Sequence, residues 1–201
     1  MKDNDTKDKI LNHAASLLQD RGYNGFSYTH ISECLGIKNA AVHYHFPTKS
    51  DLGTAMIQRF REQFKSWVAH LETKYNQQAD KLLDGFIAIP RSYLNKENLI
   101  CPLGVLEASF NVLPSSMQKE TQGLGQDMRD WLTQILELGR QHHMFHFVGP
   151  AEDKALLVSA ALQGASFIAG TKSNELFETI VRQIKRDLAI HQDTSKRTTK
   201  D

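Results

Sequence analysis

The stretch Ser27-Tyr28-Thr29-His30-Ile31-Ser32-Glu33-Cys34-Leu35-Gly36-Ile37-Lys38-Asn39-Ala40-Ala41-Val42-His43-Tyr44-His45-Phe46-Pro47-Thr48-Lys49-Ser50-Asp51-Leu52 reads as two short helices around a glycine turn, with a capped third helix behind them. Ser27 can cap a helix over Tyr28 to Leu35, in which Ile31 and Leu35 fall four apart on one face. Gly36 follows the last periodic residue and permits the left-handed backbone of a tight turn. Lys38 to Tyr44 then form a second helix, with Ala41 and Val42 facing inward. Pro47 stops it, and Thr48 with Asp51 makes a capping box for the next helix. This is the layout of a helix-turn-helix, whose second helix enters a DNA major groove.

Outward from this stretch every long segment keeps helical periodicity and none alternates as a strand does, so an all-α protein of about nine helices is expected. Ile10, Ala14, Leu17 and Leu18 mark one face of a first helix, Lys9 to Arg21, which completes a three-helix N-terminal domain. A long fourth helix runs from Ser50 to about Tyr75 through Met56, Phe60, Phe64, Trp67 and Leu71. A fifth follows, kinked at Pro90, and then a loop at Asn95 to Asn98. A short helix is expected over Gly104 to Val112, and a longer one from Ser115 to about Gln141. Glu152 to Gly170 and Asn174 to about Ile190 give two final apolar helices. The expected domains are 1–48 for the helix-turn-helix, 49–191 for a helical domain and 192–201 as a polar, disordered tail.

The segment from Ile10 to Leu52 resembles the N-terminal domain of the TetR family of bacterial transcriptional repressors. The features that carry the likeness are the first helix ending in Gly22-Tyr23, Phe26-Ser27, Leu35-Gly36-Ile37 and the run Val42-His43-Tyr44-His45-Phe46-Pro47-Thr48-Lys49. The family commonly has Tyr where this chain has His43, which can still donate to a phosphate. The resemblance implies a DNA-binding regulator that holds a pseudo-palindromic operator as a homodimer and is released by an unidentified small-molecule effector. It also implies dimerisation through the two C-terminal helices, where Leu162-Gln163-Gly164-Ala165-Ser166-Phe167 is similar to the family's interface, with no cofactor.

Length, composition and charge are compatible with this. The 201 residues suffice for a sizeable core, and two cysteines, Cys34 and Cys101, make no disulfide framework. No apolar run approaches the roughly 18 residues of a membrane span, and the N-terminus lacks the apolar core of a signal peptide, so a cytoplasmic location and no membrane partner are expected. The net charge is only +1, so any DNA affinity rests on local placement of charge rather than on a basic chain.

The candidate DNA contacts are Thr29, Lys38, Asn39, Ala40, His43, Tyr44 and Lys49. Lys38 and Asn39 begin the recognition helix and are the candidates for reading base edges, although the same residues would elsewhere be ordinary solvated positions. Thr29 is as well suited to a structural role near its cap. Lys49 stands in a first helical turn, where its charge opposes the helix dipole unless a phosphate compensates; family members place a backbone-contacting Lys there. Cys34, beside Leu35, is expected to pack.

Phe86, Tyr93, Cys101, Phe110, Met128, Trp131 and Phe167 are the candidates for an effector pocket between the fifth and eighth helices, though each alone also reads as core. Cys101-Pro102-Leu103-Gly104 resembles a C-x-x-G segment of a TetR subgroup, some members of which respond to electrophiles or small unsaturated acids; others carry a second Cys where this chain has Leu103. Cys101 either senses in this way or packs as a small apolar side chain. His142 and His146 stand four apart, as two metal ligands on one helical face would, but no carboxylate accompanies them and histidines favour helix C-termini without metal. A small helical enzyme using Cys101 or His142 and His146 is the rival class, and no nucleophile motif or phosphate loop supports it.

Overall fold

The computed structural model describes residues 2–97, 99–169 and 174–189, and the side chains within them except at 2–4, 96 and 97. Among these residues there are nine α-helices and no strand. None of the helices is long and apolar enough to cross a membrane.

Three helices make the N-terminal head: α1 (Lys2–Arg21), α2 (Tyr28–Leu35) and α3 (Asn39–His45). Ile10, Ala14, Leu17 and Leu18 of α1 are buried as their spacing requires, against Phe26, Ile31, Val42 and Phe46. The turn from α2 to α3 depends on Gly36, at φ 63° and ψ 31°. That left-handed conformation lets the Gly36 amide donate to the Glu33 carbonyl and the Ile37 amide to the Ser32 carbonyl, closing the end of α2. The head is locked at its far side by the Tyr28 hydroxyl, which donates to the Phe46 carbonyl at 2.8 Å.

From the head runs α4 (Lys49–Tyr75), opened by the expected capping box: the Asp51 amide donates to Thr48 Oγ1 at 3.1 Å and the Thr48 amide to Asp51 Oδ2 at 2.9 Å. Behind it lie α5 (Ala79–Glu97), α6 (Pro102–Ala108), α7 (Ser115–Gln141), α8 (Ala151–Ala169) and α9 (Asn174–Leu188). α7 packs against α4, α5 and α8, and α9 against α8 and α5. Ion pairs fix the contacts: Arg61 of α4 bonds Glu120 and Asp127 of α7 at 2.8 and 2.9 Å, and Arg91 of α5 grips Glu178 of α9 through two bonds of 2.7 and 2.9 Å. The Trp131 indole donates to Glu72 of α4 at 3.0 Å.

Several expectations change. α1 begins at Lys2 rather than Lys9, because the polar first turns carry their own bonds, such as Lys9 to Asp5 at 2.6 Å. α3 starts at Asn39, leaving Lys38 extended as its N-cap. α5 continues through Asn95 to Glu97 in place of a loop, with Pro90 inside it. The short helix is α6, starting at Pro102 because proline suits the first helical turn, and Phe110–Val112 is a separate 3-10 turn. Cys34 is exposed, not packed, since it follows Ile31 and Ser32 out of the buried face of α2. Gly170, Ile190 and the polar tail 192–201 lie outside the described residues.

The buried apolar residues form two clusters, and the first of them runs across residue 48. The head's cluster takes in Leu52, Met56 and Ile57 of α4, Leu106 of α6, Leu113, and Met117 and Leu124 of α7. The second holds α5, the rest of α7, α8 and α9 together. Close packing inside such a cluster transmits displacement, because neighbouring side chains have no free volume to absorb it.

Candidate nucleic-acid interface and ligand cavity

α3 rests on the core through Val42, which is fully buried, and this turns its other side outward. Lys38, Asn39, Ala40, His43 and Tyr44 are all exposed, Tyr44 to 74%. The small Ala40 leaves room for close approach to a groove floor. His43 stacks edge-on to Tyr28 with ring centroids 4.6 Å apart, and its Nδ1 lies 3.3 Å from the Pro47 carbonyl. Thr29 and Asn39 are not independent: Asn39 Nδ2 donates to Thr29 Oγ1 at 3.3 Å while Asn39 Oδ1 accepts from Ser32 Oγ at 2.7 Å. This network pins the start of α3 to α2 and holds the Asn39 amide at the exposed edge.

Lys49 is placed otherwise than the phosphate contact expected of it. Its Nζ turns into the head, donating to the Tyr23 and Phe26 carbonyls at 2.5 Å each and lying 4.4 Å from the centroids of both rings. Those carbonyls end the chain segment between α1 and α2, where no helical amide reaches them, so the ammonium satisfies them instead. Burial lowers its pKa from the ordinary lysine value.

In the second half of the chain two cavities share one wall made of Ile89, Cys101, Leu103 and Met128. The first, about 220 Å³, lies toward α8 and adds Phe86, Leu156, Ser159 and Gln163. The second, about 380 Å³, lies toward α4 and adds Phe60, Phe64, Trp67 and Tyr93. Of the expected pocket residues, Phe86, Tyr93, Cys101 and Met128 are therefore brought together. Phe110, Trp131 and Phe167 are not. Phe110 sits in the 3-10 turn, Trp131 packs in an aromatic cluster with Phe64, Trp67 and Phe86, and Phe167 is on the outer side of α8.

Cys101 is buried, and burial pushes its thiol up to about 11. Amides of Leu103 and Gly104 at the start of α6 oppose this, but more weakly. Its Sγ lies 3.9 Å from Gln163 Oε1. At the solvent end of the first cavity stand Glu107 and Arg129; burial raises the Glu107 pKa, and the Arg129 charge works against that rise. Sequence reading missed Ser159, Gln163, Glu107 and Arg129. The one available signal was Gln163 within the apolar run Leu156 to Phe167, and it was absorbed into the expected dimer face.

A connection to the head begins at this wall. Gln19 of α1 donates through Nε2 to the carbonyl of Ile100, the residue before Cys101, at 2.9 Å. Leu106, one turn into α6, belongs to the head's buried cluster. The metal reading of His142 and His146 fails on geometry. α7 ends at Gln141, His143 takes a φ of 56°, and the His146 amide is held by the Leu188 carbonyl of α9 at 2.9 Å, so the two histidines share no helical face. Among the described residues no group of three or more His, Cys, Asp or Glu is placed to hold a metal.

Residues 10–56 match the family model of bacterial regulatory proteins of the tetR family. Over 200 residues the chain is 22% identical to the HTH-type transcriptional repressor NemR of Escherichia coli K12, covering 93% of this chain and 96% of that one. Two solved structures are 28% identical to it: a TetR family transcriptional regulator from Agrobacterium tumefaciens, with a TM-score of 0.87 over 94% of this chain and all of that one, and a TetR transcriptional regulator from Legionella pneumophila, with a TM-score of 0.82 over 91% and 97%. Residues 10–56, with the exposed face of α3, thus form a TetR-family N-terminal domain, and along nearly its whole length the chain is similar to solved TetR-family transcriptional regulators.

Proposed function

We propose that the protein is a cytoplasmic repressor that binds a pseudo-palindromic operator as a homodimer and lets go when a small molecule occupies the cavities beside Cys101. The observation that carries this reading is the shared packing: α6 borders the cavities at Leu103 and enters the head's core at Leu106. A molecule that fits one position of α6 better than another thereby biases the position of the head. It shifts the equilibrium only by its difference in affinity for the two arrangements. Gln19 and the Arg61 ion pairs with α7 are the stiff links along which the bias reaches α1 and α4. The repressor named above as a whole-chain relative supports the direction of control.

The test is operator selection followed by binding across salt concentrations. A single preferred pseudo-palindrome is expected, with affinity falling steeply as salt rises because bound Lys and Arg displace counterions. Equal affinity for random DNA would overturn the reading. Lys38→Ala is expected to relax preference at one or two base pairs by about 1 to 3 kcal/mol, as loss of a base-edge contact does. A uniform loss across sequences, seen in a specificity profile of the variant, would reassign Lys38 to the phosphates.

The second copy is proposed to dock on α8 and α9. Leu156, Leu157, Ile168 and Leu176 are large apolar residues exposed on these two helices, and Gly164 leaves open space between the first pair and Ile168. Residues 157 and 168, eleven apart, return to the same side of a helix, so the apolar surface is a continuous stripe. Leu156 also lines the first cavity, so a partner on α8 would close the cavity's outer edge. The double variant Leu157→Glu/Ile168→Glu should run at the mass of one chain in light scattering and lose most operator affinity. A variant that stays dimeric would move the interface elsewhere.

Cys101 borders both cavities, and a molecule packing beside its neutral thiol is the effector mode proposed. A thiol held at about 11 is almost entirely protonated at neutral pH and is a poor nucleophile in this state.

A further inference from the structure

The second cavity has one wall of large side chains and one of small ones. Phe60, Phe64 and Trp67 fall on one face of α4, four and three residues apart, and all three line the cavity. They are only half-buried, whereas Ile57 and Leu71, at the two ends of this stripe, are buried. The chain's own packing therefore covers the ends of the stripe and leaves its middle open. On the other side, α5 touches α4 at Gly85, where a Cβ would stand 2.7 Å from Leu71 Cδ1 and 3.7 Å from Trp67 Cη2. One and two turns further along α5, Ala88 and Ser92 line the cavity, and both are too small to fill the space beside Phe64 and Phe60. Trp131 of α7 braces the aromatic wall. It is buried, its indole is tied to Glu72, and it meets the Phe64 and Trp67 rings edge-on with centroids 5.9 and 5.4 Å apart.

The rest of the wall sets the charge and size of what fits. Cys101, Pro102 and Leu124, all buried, close the inner end. The described lining residues include no Asp, Glu, Lys, Arg or His, and the polar Gln63 and Ser92 are exposed at the mouth. Tyr93 and Cys101 stay neutral, since burial raises the pKa of each. A charged ligand would give up its water here without meeting a counter-charge. Aromatic faces attract cations, but with no carboxylate on the wall that attraction does not repay the lost water. The volume of about 380 Å³ lies within the roughly 300 to 1,000 Å³ of small-molecule sites.

We infer that the second cavity binds a flat, uncharged aromatic molecule of two or three fused rings, lying between Phe60, Phe64 and Trp67 of α4 and the small side chains of α5. The inference names the chemical class of the effector and rests on the effector reading above only for the consequence at the operator, since binding is measured without DNA. Ring-on-ring contact adds to the burial of apolar area, so a saturated molecule of the same outline is the poorer ligand.

The experiment is fluorescence titration of the full-length protein with 1-aminoanthracene, a flat probe that is uncharged at pH 7 and accepts energy from tryptophan. The chain has two tryptophans, Trp67 on the cavity wall and Trp131 against it, so saturable binding should quench both and raise the probe's emission. Competition then uses 2-isopropylnaphthalene, 2-naphthoate, 2-naphthyltrimethylammonium and 2-isopropyldecalin, which share an outline and differ in charge or flatness. The neutral naphthalene should displace the probe at concentrations at least tenfold lower than either ion, and severalfold lower than the decalin. Ala88→Phe and Ser92→Phe each place a ring at the mouth from an exposed position of α5. Both should unfold at the wild-type temperature, and at least one should weaken the probe tenfold or more. No saturable quenching, tighter binding of either ion or of the decalin than of the neutral naphthalene, or full affinity in both folded variants would each overturn the inference. Operator binding with and without 1-aminoanthracene is recorded in parallel. A probe that binds as expected but leaves the operator complex intact would fail the effector reading and leave the aromatic site standing.

Discussion

Lys49→Met is expected to abolish operator binding by loosening the head rather than by removing a phosphate contact. The substitution keeps the length of the side chain and deletes the ammonium that joins the Tyr23 and Phe26 carbonyls to the start of α4. Two carbonyls then lose their donor, and the two ring faces lose their cation. With charged hydrogen bonds each contributing about 1.5 to 3 kcal/mol and partial exposure reducing that, the head should lose about 2 to 4 kcal/mol. For an N-terminal domain of this size that is a large share of its stability. Thermal unfolding followed by circular dichroism should show an earlier transition, and binding to every DNA sequence should fall together. A phosphate-contacting lysine behaves differently: its loss leaves the unfolding transition in place and lowers the salt slope by about one. An unchanged transition with that smaller slope would return Lys49 to the phosphates.

The second large effect separates the two thiols. Iodoacetamide at pH 8 should label Cys34 and leave Cys101 nearly untouched in the native protein, with both labelled after unfolding. Cys34 is exposed, whereas Cys101 is buried and its thiol is raised to about 11, so only about one Cys101 in a thousand is thiolate at that pH. Burial further blocks approach, and a rate difference of at least about 100-fold in peptide mass spectra is expected. Comparable labelling of both would show that the cavity opens readily, and would revive alkylation at Cys101 as the effector mode. The same shift sets a pH dependence. Below the ordinary value of 9.0 the thiol is protonated in both the folded and unfolded chain and contributes nothing. Between 9.0 and about 11 the unfolded chain releases a proton that the folded chain keeps, so stability falls with rising pH, by about 3 kcal/mol at most. Cys101→Ala should lack that part of the decline in denaturant titrations between those pH values.

Head and cavity differ in how far local chemistry reaches. Within residues 27–52 each turn of structure has its cause a few residues away: Gly36 ends α2 by its own φ, Thr48 and Asp51 cap α4 through each other, and Val42 buries the side of α3 opposite Ala40. Capping, turn and periodicity signals of that range were readable in the sequence, as was the all-helical architecture, because helical periodicity is a local property. Element ends were read less well where the deciding contact is distant or polar, as at the start of α1 and the end of α5.

Side-chain direction at the functional surfaces was decided by the tertiary structure alone. Lys49 looks like a phosphate ligand along the chain because its partners, the carbonyls of Tyr23 and Phe26, lie more than twenty residues away. Gln163 looks like one polar residue on an apolar interface helix until α6 brings Cys101 and Gly104 beneath it, sixty residues back. Trp131 carries the aromatic character of a pocket wall, yet Phe64 and Trp67 of α4 and Phe86 of α5 take it into a core cluster, while Phe110 is held in a 3-10 turn closed by its own backbone. Periodicity gives the buried side of a helix, but it does not tell a packed wall from an open one. That difference is set by whether the side chains arriving from elsewhere fill the space, and only the folded arrangement of α4 to α8 leaves space at Cys101.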